Sequence, residues 1–265
     1  MRTPRKLLRV GAVECTAKRS FKRFLGVWVV GAAMVLDVPT SFADDNWDFK
    51  VAPYLWSAGI DGDLRLGPVA RDIDVDFSDI VDALDKGALV HVEAHKNRHG
   101  LFGDLVFLSL EPDVEFSPVG GNTDADIDAT ILETGYLYKF PSKKGFYGIE
   151  VGVRYWDLEL SLKPALLPDI ERSTDWVDGF IGYRIKRGLN DRWSFVGRGN
   201  IGAGVSDGSD STWSLQGTFL RELDSGNSLA IGLKSLSIDF EDTVKSVPFE
   251  VDINFQGLVI GYVFD

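Results

Sequence analysis

The sequence predicts an all-β fold, a closed antiparallel transmembrane β-barrel, and three observations indicate it. After residue 46, apolar and polar side chains alternate along successive segments, as in strands whose two faces meet different surroundings. Short turns and longer connections alternate between these segments. The last segment, 251–265, has one apolar, aromatic face; it would be an aggregation-prone edge in an open sheet, whereas a closed barrel pairs both of its edges. We count ten strands, and eight or twelve also fit the pattern.

The first 43 residues have the organisation of a secretory signal peptide. Eight Lys and Arg residues lie between positions 2 and 23, an apolar run follows at 24–36, and Ser41 and Ala43 form a small-x-small cleavage pattern. The apolar run is shorter than the roughly 20 residues that a membrane-spanning helix requires. We therefore predict cleavage after Ala43, which leaves a barrel domain over residues 44–265 and removes Cys15, the single cysteine.

The composition is acidic. The net charge is −12, and it becomes about −18 once residues 1–43 are removed, because that segment contains 8 of the 28 basic residues but 2 of the 40 acidic ones. A chain this negative is a poor partner for nucleic acid or for anionic lipid surfaces. Divalent cations and basic ligands suit it better.

The first five strands follow the period of two. In the first, at 47–58, Phe49, Val51 and Leu55 share one face and Lys50 and Tyr54 share the other. A long polar connection follows at 59–86, with a short helix at 79–84. The next four strands are predicted at 88–96, 101–110, 124–140 and 146–162, separated by turns at 97–100 and 141–145 and by a loop at 111–123.

The second half of the chain repeats this organisation. Its strands are predicted at 173–186, 192–203, 211–223, 228–240 and 251–265, with turns at 187–191 and 224–227 and loops at 163–172, 204–210 and 241–247. Outer-membrane barrels have short periplasmic turns and longer extracellular loops. This asymmetry predicts that both ends of the mature chain are periplasmic.

Aromatic residues gather near the two ends of the predicted strands. The turn side contains Trp47, Tyr138, Phe140, Phe146, Trp193, Tyr262 and Phe264, and the loop side contains Tyr155, Trp156, Trp176 and Trp213. A soluble β-sandwich would bury its aromatic residues in the middle of the strands. We interpret the two groups as the aromatic girdles of a membrane barrel.

The last strand resembles the terminal strand of Gram-negative outer-membrane barrels, whose assembly signal ends in an aromatic residue. The residues that carry this likeness are Gly257, Ile260, Tyr262 and Phe264. The whole pattern is similar to the small barrels grouped around OmpA and OmpW. The resemblance implies a place in the outer membrane, contact with its lipid and lipopolysaccharide, and insertion by the barrel-assembly machinery.

If the apolar face of each strand meets lipid, the other face lines the lumen. That face collects charges of both signs: Lys50, His91, Glu93, His95, Asp104, Glu133, Glu150, Arg154, Asp178, Arg184, Arg198 and Lys234. Isolated buried charges are costly, so these groups are expected to pair and fill a narrow barrel. The alternative is a narrow, polar, gated conduit. His91, Glu93 and His95 share one strand face, although their spacing is wide for a single metal ion.

Two acidic ladders lie toward the predicted extracellular end, Asp72, Asp74 and Asp76, then Asp124, Asp126 and Asp128. They form a solvated rim or a Ca²⁺ or Mg²⁺ site, and no other cofactor is expected. Three functions follow in order of preference. The first is a non-enzymatic structural or surface-interaction barrel with a plugged lumen. The second is a narrow porin-like channel for small polar or cationic solutes.

The third function is a hydrolase at the rim. Ten-stranded outer-membrane proteases of the omptin family need paired Asp residues and an Asp–His pair in an extracellular cleft. All three histidines of this chain lie in the second predicted strand and its periplasmic turn. Ser209 and Ser211 lie in a predicted loop region without a base beside them. An enzyme is therefore the least favoured function, and no catalytic residue is assigned.

Overall fold

The computed structural model describes residues 47–66, 69–111, 113–115, 122–164, 170–205, 208–244 and 247–265. The predicted signal peptide at 1–43 lies outside them. The described chain forms twelve strands and one short helix. Their bounds are β1 Asp48–Leu66, β2 Val69–Val75, α1 Phe77–Asp82, β3 Leu84–Lys96, β4 His99–Leu110, β5 Asp113–Glu115, β6 Asn122–Ser142, β7 Gly145–Pro164, β8 Ile170–Gly188, β9 Trp193–Gly204, β10 Ser211–Glu222, β11 Ser228–Val244 and β12 Val247–Val263.

Ten of these strands close into an antiparallel barrel, in the order β1, β3, β4 and then β6 to β12. β12 pairs with β11 along one edge and with β1 along the other, from Tyr54 opposite Gly261 to Leu66 opposite Phe249. β2 and β5 pair with β1 and β6 outside this circle. The prediction of a closed, ten-stranded antiparallel barrel is confirmed.

The last residues of the chain complete the closure. Phe264 and Val51 form an antiparallel bridge in which each backbone N–H donates to the other residue's carbonyl oxygen, at 2.8 and 3.2 Å. A strand paired along both edges leaves no row of free backbone donors and acceptors. The side chains of Ile260 and Phe264 are about half exposed, and Tyr262 accepts a hydrogen bond from Asn227. The role of this strand as an assembly signal stays a prediction.

The four predicted short turns lie at one end of the barrel, which we call the turn end; the longer connections lie at the opposite, loop end. Two of these turns use left-handed backbone conformations, at Asn97 (φ 54°) and Gly145 (φ 147°). A Cβ at Gly145 would collide with the carbonyl oxygen of Lys186, so the tight turn depends on glycine at that position.

The strands extend farther toward the loop end than the sequence predicts, above all within 59–86. Instead of a long polar connection, β1 continues to Leu66, β2 returns beside it, and the helix lies at Phe77–Asp82 rather than 79–84. The carboxylates that suggest a loop belong to the strands, since Asp61 and Asp74 are paired across β1 and β2 and both are exposed. Water solvates such charges where strands project beyond an apolar surface.

Between the two ends, the outward face of the barrel is an apolar belt. Its exposed side chains include Leu55, Leu101, Ile149, Val151, Val153, Ile181, Ile201, Leu215, Phe219, Leu229, Ile231, Leu233, Leu258 and Ile260. Removing one such side chain from water stabilises a protein by about 1.5–3 kcal/mol. A belt of this kind is therefore suited to an apolar medium. Among the described residues, no helix has the length and hydropathy to cross a bilayer.

The seam between β1 and β12 predicts the effect of one added methyl group. A Cβ at Gly257 would collide with the backbone of Ser57, so Gly257→Ala is expected to lower the free energy of unfolding by about 1–3 kcal/mol. At Gly217 of β10 the nearest atoms would lie 3.5 Å away, and Gly217→Ala is expected to change it by less than about 1 kcal/mol. Denaturant unfolding of the folded protein in detergent measures both. Equal effects of the two variants would contradict a tight seam.

Candidate functional site in the barrel interior

Charged side chains cross the interior of the barrel near its middle. Eight of the twelve predicted lumen residues are less than 10% exposed: Asp104, Glu133, Glu150, Arg154, Asp178, Arg184, Arg198 and Lys234. Ten of the twelve, all except Lys50 and Asp178, are connected by hydrogen bonds and ion pairs. We call these ten, together with Tyr54, Asn200 and Thr212, the lumen network. It includes residues of every barrel strand except β12.

Glu133 of β6 lies at the centre of the lumen network, between two arginines. Arg154 donates to Glu133 Oε2 from Nε at 3.0 Å and from Nη2 at 2.7 Å, and Arg198 Nη1 donates to Oε1 at 3.0 Å. Arg154 also donates to Asn200 Oδ1 at 2.9 Å and to Thr212 Oγ1 at 2.6 Å. These groups are buried, so each charge is compensated by a partner where water cannot solvate it.

Glu150 of β7 extends the lumen network to β8. Its two oxygens accept hydrogen bonds from Arg198 Nε at 2.6 Å and from Arg184 Nε at 3.2 Å. Arg184 also pairs with Glu93 of β3, a strand that is not adjacent to β8, so this ion pair spans the lumen. The ring of Phe102 packs against both arginines, 4.8 Å from the guanidinium carbon of Arg184 and 4.6 Å from that of Arg198.

Glu93 also bridges the two histidines of β3. Its Oε1 lies 2.9 Å from His91 Nε2 and its Oε2 lies 2.8 Å from His95 Nε2, while His91 Nδ1 lies 3.0 Å from Asp104 Oδ2. Because carboxylates face both ring nitrogens of His91, both bonds form only when both nitrogens carry protons. The carboxylate therefore occupies the position between the imidazoles. Within the described part of the chain, no three potential ligands are arranged to hold a metal ion.

Asp104 of β4 ends the lumen network on the β1–β11 side. It accepts a hydrogen bond from the hydroxyl of Tyr54 at 2.7 Å and lies 3.6 Å from Lys234 Nζ. The same ammonium group lies 4.8 Å from the ring centre of Trp56. Tyr54 was recognisable from its position, since it shares the strand face of Lys50, but its phenol gives no charge pattern to follow.

The two remaining predicted lumen residues lie above and below the lumen network. Lys50 lies toward the turn end and pairs with Asp48 at 3.7 Å and with Asp265. Asp178 lies toward the loop end, fully buried, and accepts hydrogen bonds from Trp156 Nε1 at 2.8 Å and Ser209 Oγ at 2.9 Å. The sequence does not predict the second of these contacts, because it brings a residue between β9 and β10 into the barrel.

An apolar layer closes the lumen on the loop side of the lumen network. Trp156 and Trp176 stack with their ring centres 5.7 Å apart, and Trp176 also contacts Phe240 at 4.9 Å. The layer is completed by Val106, Ile131, Leu236 and Ile238. The prediction that Trp156 and Trp176 belong to an outer girdle is therefore wrong. They occupy the parity of Arg154 and Asp178, which points inward.

The turn-end girdle needs a smaller correction. Phe146 faces the interior, where Lys139 Nζ lies 5.7 Å from its ring centre. Trp47, Phe140 and Phe264 are exposed, as a girdle requires. The neighbouring residue Tyr147 is more than half exposed and stacks on Phe140, so the girdle shifts by one residue in β7.

A chamber of about 350 Å³ lies between the lumen network and the turn end. Its lining extends from Asp104 and Arg198 in the middle of the barrel to Lys50 and Val263 near the strand ends. The lumen therefore has three successive parts: the chamber, the lumen network and the apolar layer.

The acidic ladders lie on the exterior near the loop end. Asp74 and Asp76 are exposed, Asp128 is opposite Glu159 of β7, and Asp126 is opposite Ser161. Asp72 is opposite Asp63 and Asp124 is opposite Lys163 in the backbone register. The side chains of Asp72 and Asp124 lie outside the described part of the structure. The prediction that these ladders hold Ca²⁺ or Mg²⁺ stays a prediction.

No protein-family model matches the chain, and a search of curated proteins finds no match. Solved structures with a similar fold include the attachment invasion locus protein Ail of Yersinia pestis, at 11% identity and TM-score 0.38, over 83% of this chain and 100% of that one. The translocator domain of the autotransporter NalP of Neisseria meningitidis is 10% identical, with TM-score 0.41, over 84% and 90%. A Pseudomonas aeruginosa FadL homologue is 8% identical, with TM-score 0.35, over 83% and 90%.

The lumen network predicts a large difference between a buried and an exposed ion pair. Glu133→Gln removes the carboxylate that two buried arginines share, and we expect a loss of about 3–5 kcal/mol in the free energy of unfolding. Asp224→Asn removes the partner of Arg192 at the exposed turn end and is expected to cost less than about 1 kcal/mol. Denaturant titration of the two variants in the same detergent measures both, and similar losses would contradict this account of the network.

Proposed function

We propose that the protein is an integral barrel of the Gram-negative outer membrane with a closed lumen and a non-enzymatic, structural or surface-interaction role. The observation that carries this proposal is the sequence of layers inside the barrel. The lumen network ties nine of the ten barrel strands together, and the apolar layer around Trp156 and Trp176 fills the space above it. An interior packed in this way supports a scaffold that presents its outer end, rather than a wide pore.

The apolar belt supports the location. Its side chains face outward on successive strands, and the backbone is fully paired around the circle, which are the two requirements for a structure that spans lipid. The short turns at one end and longer connections at the other support periplasmic chain ends. Insertion by the barrel-assembly machinery follows from the same proposal.

The exposed carboxylates near the loop end support a second part of the proposal. Asp61, Asp74 and Asp128 lie outside the apolar belt, at the level where lipopolysaccharide would surround the barrel. Bound Ca²⁺ or Mg²⁺ would bridge these carboxylates to the anionic lipid, because carboxylate oxygens are the ligands that both ions prefer.

A narrow channel for small polar or cationic solutes is the second candidate function. The chamber favours it, because half of the route through the barrel is already open as far as Arg198. Conduction would require the lumen network and the apolar layer to separate. The many buried bonds of Arg154 and Glu133 oppose such a movement.

A hydrolase is the least supported function. Ser209 is buried, and its hydroxyl lies 2.9 Å from both Asp178 Oδ2 and Trp176 Nε1. The three histidines lie in β3 and at the start of β4, on the turn side of the lumen network. A serine oriented by a carboxylate and an indole lacks the base that would activate it.

Planar bilayer recordings test the closed lumen. We expect the purified protein to add no steady conductance. The double variant Trp156→Ala/Trp176→Ala removes the stacked pair from the apolar layer and is expected to give measurable openings. Gly217→Ala, on the outward face, serves as the matched control and should stay silent. Steady ohmic openings of the unchanged protein would favour the channel instead.

Cysteine labelling tests the orientation, because the mature domain predicted at 44–265 contains no cysteine. Asp74→Cys places a thiol at an exposed position of β2 near the loop end, and Lys143→Cys places one in the exposed turn between β6 and β7. A membrane-impermeant maleimide applied to intact cells is expected to label the first variant alone. Permeabilising the outer membrane should then expose the second. The reverse order would contradict periplasmic turns.

A further inference from the structure

The chamber has two chemically different walls. The wall formed by β9 to β12 is apolar, with Val196, Leu220, Ala230, Val259 and Val263. Leu220, Ala230 and Gly261 are opposite one another in the register, so this wall is continuous. The facing wall contains charged and ionisable groups from β3, β6 and β8: His91, Glu93, His95, Lys139, Arg184 and Lys186. A ligand that fills the chamber meets an apolar surface and a polar one together.

The carboxylates of the chamber already have partners. Glu93 is bound by Arg184 and by both histidines of β3, and Asp104 is bound by Tyr54, His91 and Lys234. Asp48 pairs with Lys50. These acidic groups therefore attract a further cation weakly.

Two lysines of the chamber lack such a partner. Among the described residues, neither Lys139 nor Lys186 has a carboxylate within ion-pair distance; Lys139 instead lies over the ring of Phe146. Both lysines lie near the turn end, since Lys139 is close to the end of β6 at Ser142 and Lys186 is opposite Phe146 at the start of β7. A negatively charged ligand arriving from the turn end would reach them first.

Arg198 adds a donor at the inner end of the chamber. Its Nε and Nη1 are bound to Glu150 and Glu133, whereas its Nη2 is buried without a hydrogen-bond partner in the described part of the structure. A buried guanidinium nitrogen without an acceptor is costly, so an acceptor oxygen on a ligand is favoured in this region.

We propose that the chamber is a binding site for a small organic anion with an apolar body, an aromatic or short acyl carboxylate that enters from the turn end. The carboxylate lies among Lys139, Lys186 and Arg198, and the apolar body lies against Leu220, Ala230 and Val259. A volume of about 350 Å³ is within the range of ligand pockets, which combine apolar walls with a few placed polar groups. This inference does not depend on whether the lumen conducts.

Fluorine NMR of a soluble probe tests the proposal on the folded protein in zwitterionic detergent. The probe is 4-fluorobenzoate, and 4-fluorobenzamide and 4-fluorobenzylamine have the same ring with no charge and with a positive charge. Spectra with empty micelles correct for partitioning into detergent. We expect saturable broadening of the benzoate signal and at least tenfold weaker binding of the other two, because a charge-assisted contact is stronger than a neutral one. Equal binding of all three probes would overturn the proposal.

Two variants locate the probe. Lys186→Met removes one chamber charge and should weaken benzoate binding about tenfold, whereas Lys144→Met in the exposed turn beside it should leave binding unchanged. Ala230→Phe fills the apolar wall and should abolish binding. Heat-modifiable migration on gels reports folding of each variant, and Lys139→Met replaces Lys186→Met if the latter fails to fold. Unchanged benzoate binding in both the charge and the Ala230→Phe variants would place the probe elsewhere and overturn the proposal.

Discussion

Pairing of buried charge is the constraint on which the rest of this structure depends. Closing ten strands removes the lumen from bulk water, and a charge left there without a partner costs far more than an exposed one. Glu133 meets this constraint by sharing its two oxygens between Arg154 and Arg198. Each arginine then reaches a further strand, Arg154 through Thr212 and Arg198 through Glu150. Satisfying one carboxylate in this way connects β6, β7, β9 and β10, so the local need for a partner becomes a restraint on the whole circle.

The same constraint fixes the register. Side chains alternate strictly in a strand, so a shift of one residue in β7 would turn Arg154 toward lipid and bring Val153 or Tyr155 into the lumen network. Both changes are unfavourable, because the arginine would lose its partners and an apolar side chain would leave the belt. The apolar belt and the lumen network are therefore two consequences of one alternation. Neither a single face nor a single strand could select the register as firmly.

This alternation explains how much of the molecule follows from the sequence. The strand count and the inward position of residues such as Arg154 and Glu133 follow from a period of two, which is a local property. The partners do not, because the contact of Arg184 with Glu93 joins strands 91 positions apart, and no spacing rule relates them. Trp156 and Trp176 were misplaced because tryptophan is common at membrane interfaces, and that tendency was weighed above their parity. The strand ends beyond the belt were missed because exposed strands and loops have the same polar composition.

The two ends of the barrel differ in charge, and the layers between them keep these differences separate. The loop end presents carboxylates such as Asp74 and Asp128, whereas the chamber at the turn end has Lys139 and Lys186 without carboxylate partners among the described residues. A solute attracted by the acidic end would be a cation, and the lysines of the chamber would repel it. A through-channel for cations would thus have to cross a region of opposite preference after opening both the apolar layer and the lumen network. The distribution of charge therefore opposes cation conduction independently of the packing, and each end is better understood as a separate surface on one closed barrel.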